Sequence, residues 1–255
     1  MIDIHSHILP GLDDGSPDLE ESVAMVRMAV EAGTSDIVAS PHADLQYPFD
    51  PEVVESKIAE LTVASEGVIR IHYGCDFHLY YENVQDALAN PRKYAINHKN
   101  YVLAEPSELL ILKTTDQVLE RMLSIGLIPI ITHPERNSVL QHQWKGLERW
   151  VAAGCLVQVT AQSLLGGFGR KAQVFSRELL QRGFVHFVAS DAHDRKRRPP
   201  RLDEAYGTVV KQFGRETAER LFLTNPAAVL RGEPLPEIEP AALRAPSQKW
   251  WRVWA

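Results

Sequence analysis

At 255 residues, 45% hydrophobic and 24% charged, the chain suits one large domain or two small ones, and α/β barrels often reach ~250 residues as single units. Two cysteines exclude a disulfide scaffold and point to a reducing compartment, and the apolar runs fall far short of the ~20 residues that cross a bilayer. A net charge of −6 disfavours general nucleic-acid binding, and Met1-Ile2-Asp3-Ile4-His5 lacks the basic, then apolar, pattern of a secretory leader, so a cytoplasmic location is expected.

Strands and helices alternate along the chain. A short strand is expected over 2–4, then a helix with Ser16 at its N-cap and Pro17 at its first position. Leu19, Val23, Val26 and Val30 make one apolar face, and Gly33 closes the helix before a strand over 36–39. A helix over 51–66 and a strand over 68–73 follow; 77–100 reads as looser, leading into a strand over 101–104. Helices over 115–125, 144–153 and 171–181 end at Gly126, Gly154 and Gly183, and strands over 127–132, 155–159 and 184–189 follow them. Two more helices, over 203–212 and 215–223, complete the folded part. About seven strands alternating with helices imply a parallel sheet, with closure into a barrel as the economical solution. An open doubly wound sheet competes, but no Gly-rich phosphate loop follows any strand. Residues 1–231 are therefore read as one domain. Residues 232–255 form a tail with four prolines from Pro234 to Pro246, ending in Trp250, Trp251 and Trp254. These rings are expected to pack back onto the domain, with a partner contact as the alternative.

Ten histidines stand out. In a parallel α/β barrel the chemistry sits at the carboxyl ends of the strands, and six strands here end in imidazoles or carboxylates. His5 and His7 follow the first strand and share a face by alternation. His42 follows the second, Asp76 the third, Glu105 the fourth, and His133 comes after 127–132. Asp191 and His193 follow the last strand. A lone histidine at a strand end is ordinarily a satisfied polar group, but six such ends together point to a metal. Imidazole and carboxylate without thiolate suit manganese, iron or zinc, and so many donors imply two or three ions. His72, His98, His142 and His186 lack this placement. His78 shares a face with Asp76 and is left between the two readings. Arg136 lies three residues past His133, and the run from Arg195 to Arg201 holds five basic residues in seven, including Arg198. Arginine forks beside a metal site suit phosphoryl oxygens.

The opening Asp3-Ile4-His5-Ser6-His7-Ile8-Leu9-Pro10-Gly11-Leu12-Asp13-Asp14-Gly15 resembles that of the bacterial metal-dependent tyrosine-protein phosphatases of the PHP superfamily, the CpsB/CapC/YwqE type of capsule and exopolysaccharide systems. The likeness continues through Ser40-Pro41-His42, Tyr73-Gly74-Cys75-Asp76, Glu105, His133-Pro134-Glu135-Arg136, Ser190-Asp191-Ala192-His193 and Arg198-Pro199-Pro200, over roughly residues 1 to 230. It implies a distorted (β/α)7 barrel and a three-metal centre, often manganese. By position, His5, His7, Asp76 and Asp191 would hold the first metal, and Asp76, Glu105 and His133 the second. Asp14, His42 and His193 would hold the third, and Arg136 and Arg198 match arginines that bind phosphate. Two departures stand out: the bridging position is usually Glu and is here the shorter Asp76, and Pro106 follows Glu105.

The expected activity is hydrolysis of phosphotyrosine on a bacterial tyrosine kinase, a metal-bridging hydroxide attacking phosphorus in line while the arginines stabilise its oxygens. A phenolate of pKa ~10 leaves without a strong general acid, and none is assigned. A cysteine route is closed, because Tyr81 and Ala161, not arginines, stand six residues after Cys75 and Cys155. Alternatives are a phosphatase for a histidinol phosphate-like small molecule and a non-catalytic metal-binding module that docks a kinase. Nucleic-acid processing lacks an aromatic stacking platform.

Overall fold

The computed structural model describes residues 1–107 and 110–236; the tryptophans of the tail lie outside the described residues. Among the described residues there are nine strands: β1 (Ile2–Ser6), β2 (Asp36–Ala39), β3 (His42–Ala43), β4 (Arg70–Tyr73), β5 (Asp76–His78), β6 (Tyr101–Glu105), β7 (Ile128–Thr132), β8 (Leu156–Thr160) and β9 (Phe187–Ala189). The α-helices are α1 (Leu19–Glu31), α2 (Pro51–Ala64), α3 (Tyr81–Ala89), α4 (Thr115–Ser124), α5 (Ser138–His142), α6 (Lys145–Ala153), α7 (Ala161–Leu165), α8 (Gly169–Gln181), α9 (Asp203–Phe213), α10 (Arg215–Glu219) and α11 (Asn225–Arg231), with a π-helical turn joining the last two.

The architecture is α/β with parallel pairing throughout. Strands run in the order β1-β2-β4 in one sheet and β3-β5-β6-β7-β8-β9 in the other. Among the described residues no continuous ladder closes the strands into the single barrel that their number led us to expect. The interruption has local causes. Only Ser40 and Pro41 separate β2 from β3, and proline has no N–H for the ladder. Only Gly74 and Cys75 separate β4 from β5, and a Cβ on Gly74 would lie 2.4 Å from Val38 Cγ1, so the β4–β5 junction packs against the branched Val38 side chain where glycine leaves room. Between β9 and β1 there is one bridge, Ser6 to Ala192, flanked by Asp191 N donating to His5 O (2.9 Å) and His7 N to Ala192 O (2.8 Å).

Apolar side chains from both sheets meet in one buried cluster that includes Ile4, Val38, Leu103, Ile130 and Phe187. Each is followed along the chain by a candidate donor, in its own strand or just past it, so burial worth ~1.5–3 kcal/mol per side chain helps fix where those donors sit. A larger cluster fastens the helices to the second sheet.

Most expected elements are present within a residue or two. The first helix starts later: Asp18, not Ser16, is its N-cap and accepts from Glu21 N at 2.9 Å, while Ser16 Oγ donates to Asp18 O. The looser 77–100 contains β5, α3 and a short 3-10 turn, elements too brief to show a periodicity. The final helix continues past 223 because Asn225-Pro226 opens a new helical segment, where proline costs no hydrogen bond.

Candidate metal centre

The two register pairs nearest the strand ends already assemble half of the site. His42 on β3 lies beside Asp76 on β5, and His78 on β5 lies beside Glu105 on β6. Register neighbours in a parallel ladder present their side chains to the same side, so the sheet itself delivers two imidazoles and two carboxylates together. His42 Nδ1 is 3.1 Å from Asp76 Oδ2, and His78 Nε2 is 2.8 Å from Glu105 Oε2.

His5 and His7 bring a sharper constraint. Their Nε2 atoms face each other at 3.2 Å. His5 Nδ1 donates to Gln158 Oε1 at 2.9 Å, and His7 Nδ1 donates to Asp13 Oδ2 at 2.6 Å. With both Nδ1 protons engaged, the two Nε2 atoms would be opposed lone pairs unless a proton or a metal cation stands with them. The surroundings favour positive charge: burial opposes it on His5, but Asp76 and Asp191 prevail and raise its pKa to about 9. His42 is pushed up to about 11 in the same way, burial being outweighed by Asp14 and Asp76.

Asp191 is shared between cations of two kinds. Its Oδ1 lies 3.5 Å from His5 Nε2 and 3.4 Å from His7 Nε2, while its Oδ2 accepts from Arg136 Nη1 and from Arg198 Nη2 (2.5 Å). Burial would raise its pKa, yet His5 and Arg136 hold it well below the usual carboxylate range. Phe168 lies against both guanidinium groups, with centroid distances of 4.4 Å to Arg136 and 5.8 Å to Arg198. Of the basic run, only Arg198 reaches Asp191; Arg195 is taken by Glu21 and Arg201 by Asp203.

His133 and Asp191 both have positive φ, +31° and +52°, a backbone conformation costly for residues with a Cβ. His133 sits immediately after β7, and Asp191 sits two residues past β9. His133 Nε2 is 3.8 Å from Glu105 Oε1; burial and then Arg136 hold its pKa well below the ordinary value, so the ring is a neutral donor. Asp14, half-exposed at the mouth, places Oδ1 3.4 Å from both His42 Nε2 and His193 Nε2.

Four sets of donor atoms lie close enough to share an ion: His7, Asp14, His42 and His193; His42, Asp76, His78 and Glu105; His5, His7 and Asp76; and His5, His133 and Asp191. All nine candidate ligands from the sequence fall in these sets, and His78 joins them. Buried acceptors with no hydrogen bond, Asp76 Oδ1 and Oδ2 and Glu105 Oε2, line the same space, which fits divalent ions held there. The other four histidines lie elsewhere: His72 against Asp36, His98 against Glu55, His142 on Ser138 O, and His186 accepting from Val157 N. Both cysteines are buried thiols with raised pKa, Cys155 to about 12.

Sequence reasoning missed the residues that hold the donors. Asp13 binds both the His7 ring and His42 N; Gln158 orients His5; Asp3 accepts from His5 N and Ser190 N. A signal was present, since Asp3 and Gln158 are polar residues flanked by apolar ones in their strands, and both are fully buried.

Tyrosine-protein phosphatase YwqE of Bacillus subtilis is 35% identical over 220 residues, covering 85% of this chain and 86% of the relative. Tyrosine-protein phosphatase CpsB of Streptococcus pneumoniae is 32% identical over 242 residues, covering 90% and 98%. A crystal structure from a study of YwqE and CpsB, described as metal-dependent tyrosine phosphatases, superposes with a TM-score of 0.86 at 34% identity over 92% of this chain and 96% of the other. Residues 1–231 match the model of the capsular polysaccharide synthesis family CpsB/CapC, and the chain belongs to that family.

Proposed function

We propose that this chain is a metal-dependent phosphomonoester hydrolase that dephosphorylates phosphotyrosine on a protein. The partner is a bacterial tyrosine kinase of capsule or exopolysaccharide synthesis, met in the cytoplasm. The observation that carries the hydrolytic reading is the opposed pair of His5 and His7 Nε2 atoms, 3.2 Å apart, beside two arginines converging on one carboxylate oxygen. The phosphotyrosine part rests on the names of the relatives. The cytoplasmic part is supported by two free, buried cysteines.

Two or three divalent ions, manganese first and iron or zinc as matches to the same donors, would be held by the ligand sets that the resemblance assigns: His5, His7, Asp76 and Asp191; Asp76, Glu105 and His133; and Asp14, His42 and His193. Such ions lower the pKa of a water toward neutrality and neutralise charge on phosphoryl oxygens. The chain's own residues do the rest. Arg136 and Arg198 now share Asp191 Oδ2, and this convergence is the arrangement that clamps the oxygens of a phosphoryl group. Phe168 holds the two forks side by side. Gln158 and Asp13 fix which nitrogen of His5 and His7 faces the centre. A phenolate leaving group of pKa ~10 departs without a strong acid beside it.

The same reading takes the fold as one distorted (β/α)7 barrel of the PHP type. Counting β2 with β3, and β4 with β5, gives seven strand positions, and the Ser6–Ala192 bridge lies between the first and last. The domain is 1–231, followed by the tail. The test combines metal analysis with p-nitrophenyl phosphate and phosphotyrosyl-peptide hydrolysis, comparing the wild type with His133→Ala and Arg136→Ala. Activity that requires added metal and falls at least ~100-fold in each variant is expected. Full activity in metal-stripped protein, or in both variants, overturns the reading. Hydrolysis of a histidinol phosphate-like ester but not of the phosphopeptide would shift the substrate to a small molecule.

A further inference from the structure

The resemblance gives the second ion Asp76, Glu105 and His133, yet the structure groups these residues differently. His133 falls with His5 and Asp191, whereas Asp76 and Glu105 fall with His42 and His78. The reason lies in β5. Asp76 is one methylene shorter than the glutamate usual at this position, and its Oδ2 lies 3.1 Å from His42 Nδ1 and 3.6 Å from His5 Nε2. His78 stands two residues on, on the same face of β5 and in register with Glu105 on β6.

The donor atoms converge on one space. His78 Nε2 is 2.8 Å from Glu105 Oε2 and His42 Nδ1 is 3.1 Å from Asp76 Oδ2, and one donor atom from each of the four residues lies within 4.8 Å of the others. His78 Nε2 also lies 3.2 Å from His42 Nδ1: two imidazole nitrogens facing each other beside two carboxylates, which repeats the situation of His5 and His7. His78 and Asp76 are buried enough that unpaired donors here are costly without a cation.

We infer that His78 is a metal ligand in this chain, completing with Asp76 and Glu105 the cation site that the shortened carboxylate leaves open. This rests on the metal-centre reading above and deepens it. One imidazole thereby replaces reach lost from a carboxylate, which makes this ion's donor set richer in nitrogen and favours a metal that accepts imidazole, such as zinc or iron, over one preferring oxygen alone.

The test uses the full chain loaded with Mn2+ or Zn2+, with bound metal per chain measured after gel filtration and Mn2+ affinity by electron paramagnetic resonance titration. His78→Ala is expected to lose one equivalent, or to bind one ion about 100-fold more weakly, while His98→Ala matches the wild type. Asp76→Glu/His78→Ala is expected to recover the lost ion, because the longer carboxylate again spans the gap. Circular dichroism of each apoprotein verifies that the fold persists; should His78→Ala not fold, His78→Asn takes its place with the same expectation. A wild type that binds no divalent ion refutes the metal centre itself. A wild type that binds ions, with His78 variants that bind the same number equally tightly, refutes only the assignment of His78.

Discussion

Gly15 is the residue through which the loop after β1 is locked onto the His7 backbone. A Cβ at Gly15 would lie 2.2 Å from His7 O, 2.5 Å from His7 Cβ and 3.0 Å from Asp13 Oδ1. Carbon atoms touch at ~3.5–4.0 Å, so Gly15→Ala requires the loop to move by about 1 Å. That loop carries Asp14 and Asp13, and Asp13 holds the His7 ring through the 2.6 Å bond to Nδ1. Ser16 N also donates to His7 O at 3.1 Å, so the displacement strains a second tie. Overpacking of this kind costs about 1–3 kcal/mol, and at ~2–4 °C per kcal/mol for a chain of this size the unfolding midpoint should fall by about 2–12 °C. A misplacement of about 1 Å at the reacting centre should lower kcat/KM about 100-fold. Thermal unfolding, metal analysis and p-nitrophenyl phosphate hydrolysis read the three effects. Gly207→Ala is the control: it lies exposed in α9 with nothing within 4 Å of the added Cβ, and should stabilise by ~0.5–1 kcal/mol with unchanged turnover. A Gly15→Ala protein with wild-type metal content, midpoint and turnover would refute the reasoning.

Two further outcomes are expected away from the centre. His186 Nδ1 accepts from Val157 N at 3.1 Å, and burial, helped by Arg220, holds its pKa down to about 4. Below its unfolded pKa of ~6.5 the unfolded chain takes up a proton that the folded chain does not, so stability present above that pH falls until the folded ring titrates. Because the ring is only partly buried the loss between pH 6.5 and 5 should be about 1 kcal/mol; urea unfolding at both pH values should show it in the wild type and not in His186→Asn, and equal losses would count against it. Trp150 Nε1 donates to Asp116 Oδ1 at 2.5 Å, joining α6 to α4. Asp116→Ala leaves the indole N–H without that acceptor and should cost about 1–3 kcal/mol with no change in kcat, as read by unfolding and steady-state assays.

The candidate donors were legible because parallel strands deliver their last residues to one place: His5, His7, Glu105 and His133 stand at or just beyond a strand end, and His42 and Asp76 open the short β3 and β5 that follow β2 and β4. What was not legible depends on distances between strands far apart in sequence. Gln158 meets His5 across 153 positions, and Asp3 meets Ser190 across 187. His78 was ambiguous because its role depends on its register with Glu105, which the sequence does not state. The helix start at Asp18 rather than Ser16 was misread because both are good caps, and Ser16 is occupied with Ser22 Oγ and Asp18 O. The barrel was inferred from strand count, while the breaks at Ser40-Pro41 and Gly74-Cys75 depend on a proline without an N–H and on how Val38 packs against Gly74.

Those two breaks divide the labour within single strands. Below them, Asp36–Ala39 and Arg70–Tyr73 form a four-residue ladder; above them, His42–Ala43 and Asp76–His78 carry donors in a ladder of their own. An exchange of ligand chemistry in the upper segments therefore leaves the lower pairing intact. Asp76 and His78 together read as one such exchange, and the same segments are where an engineer could retune metal preference without redesigning the fold.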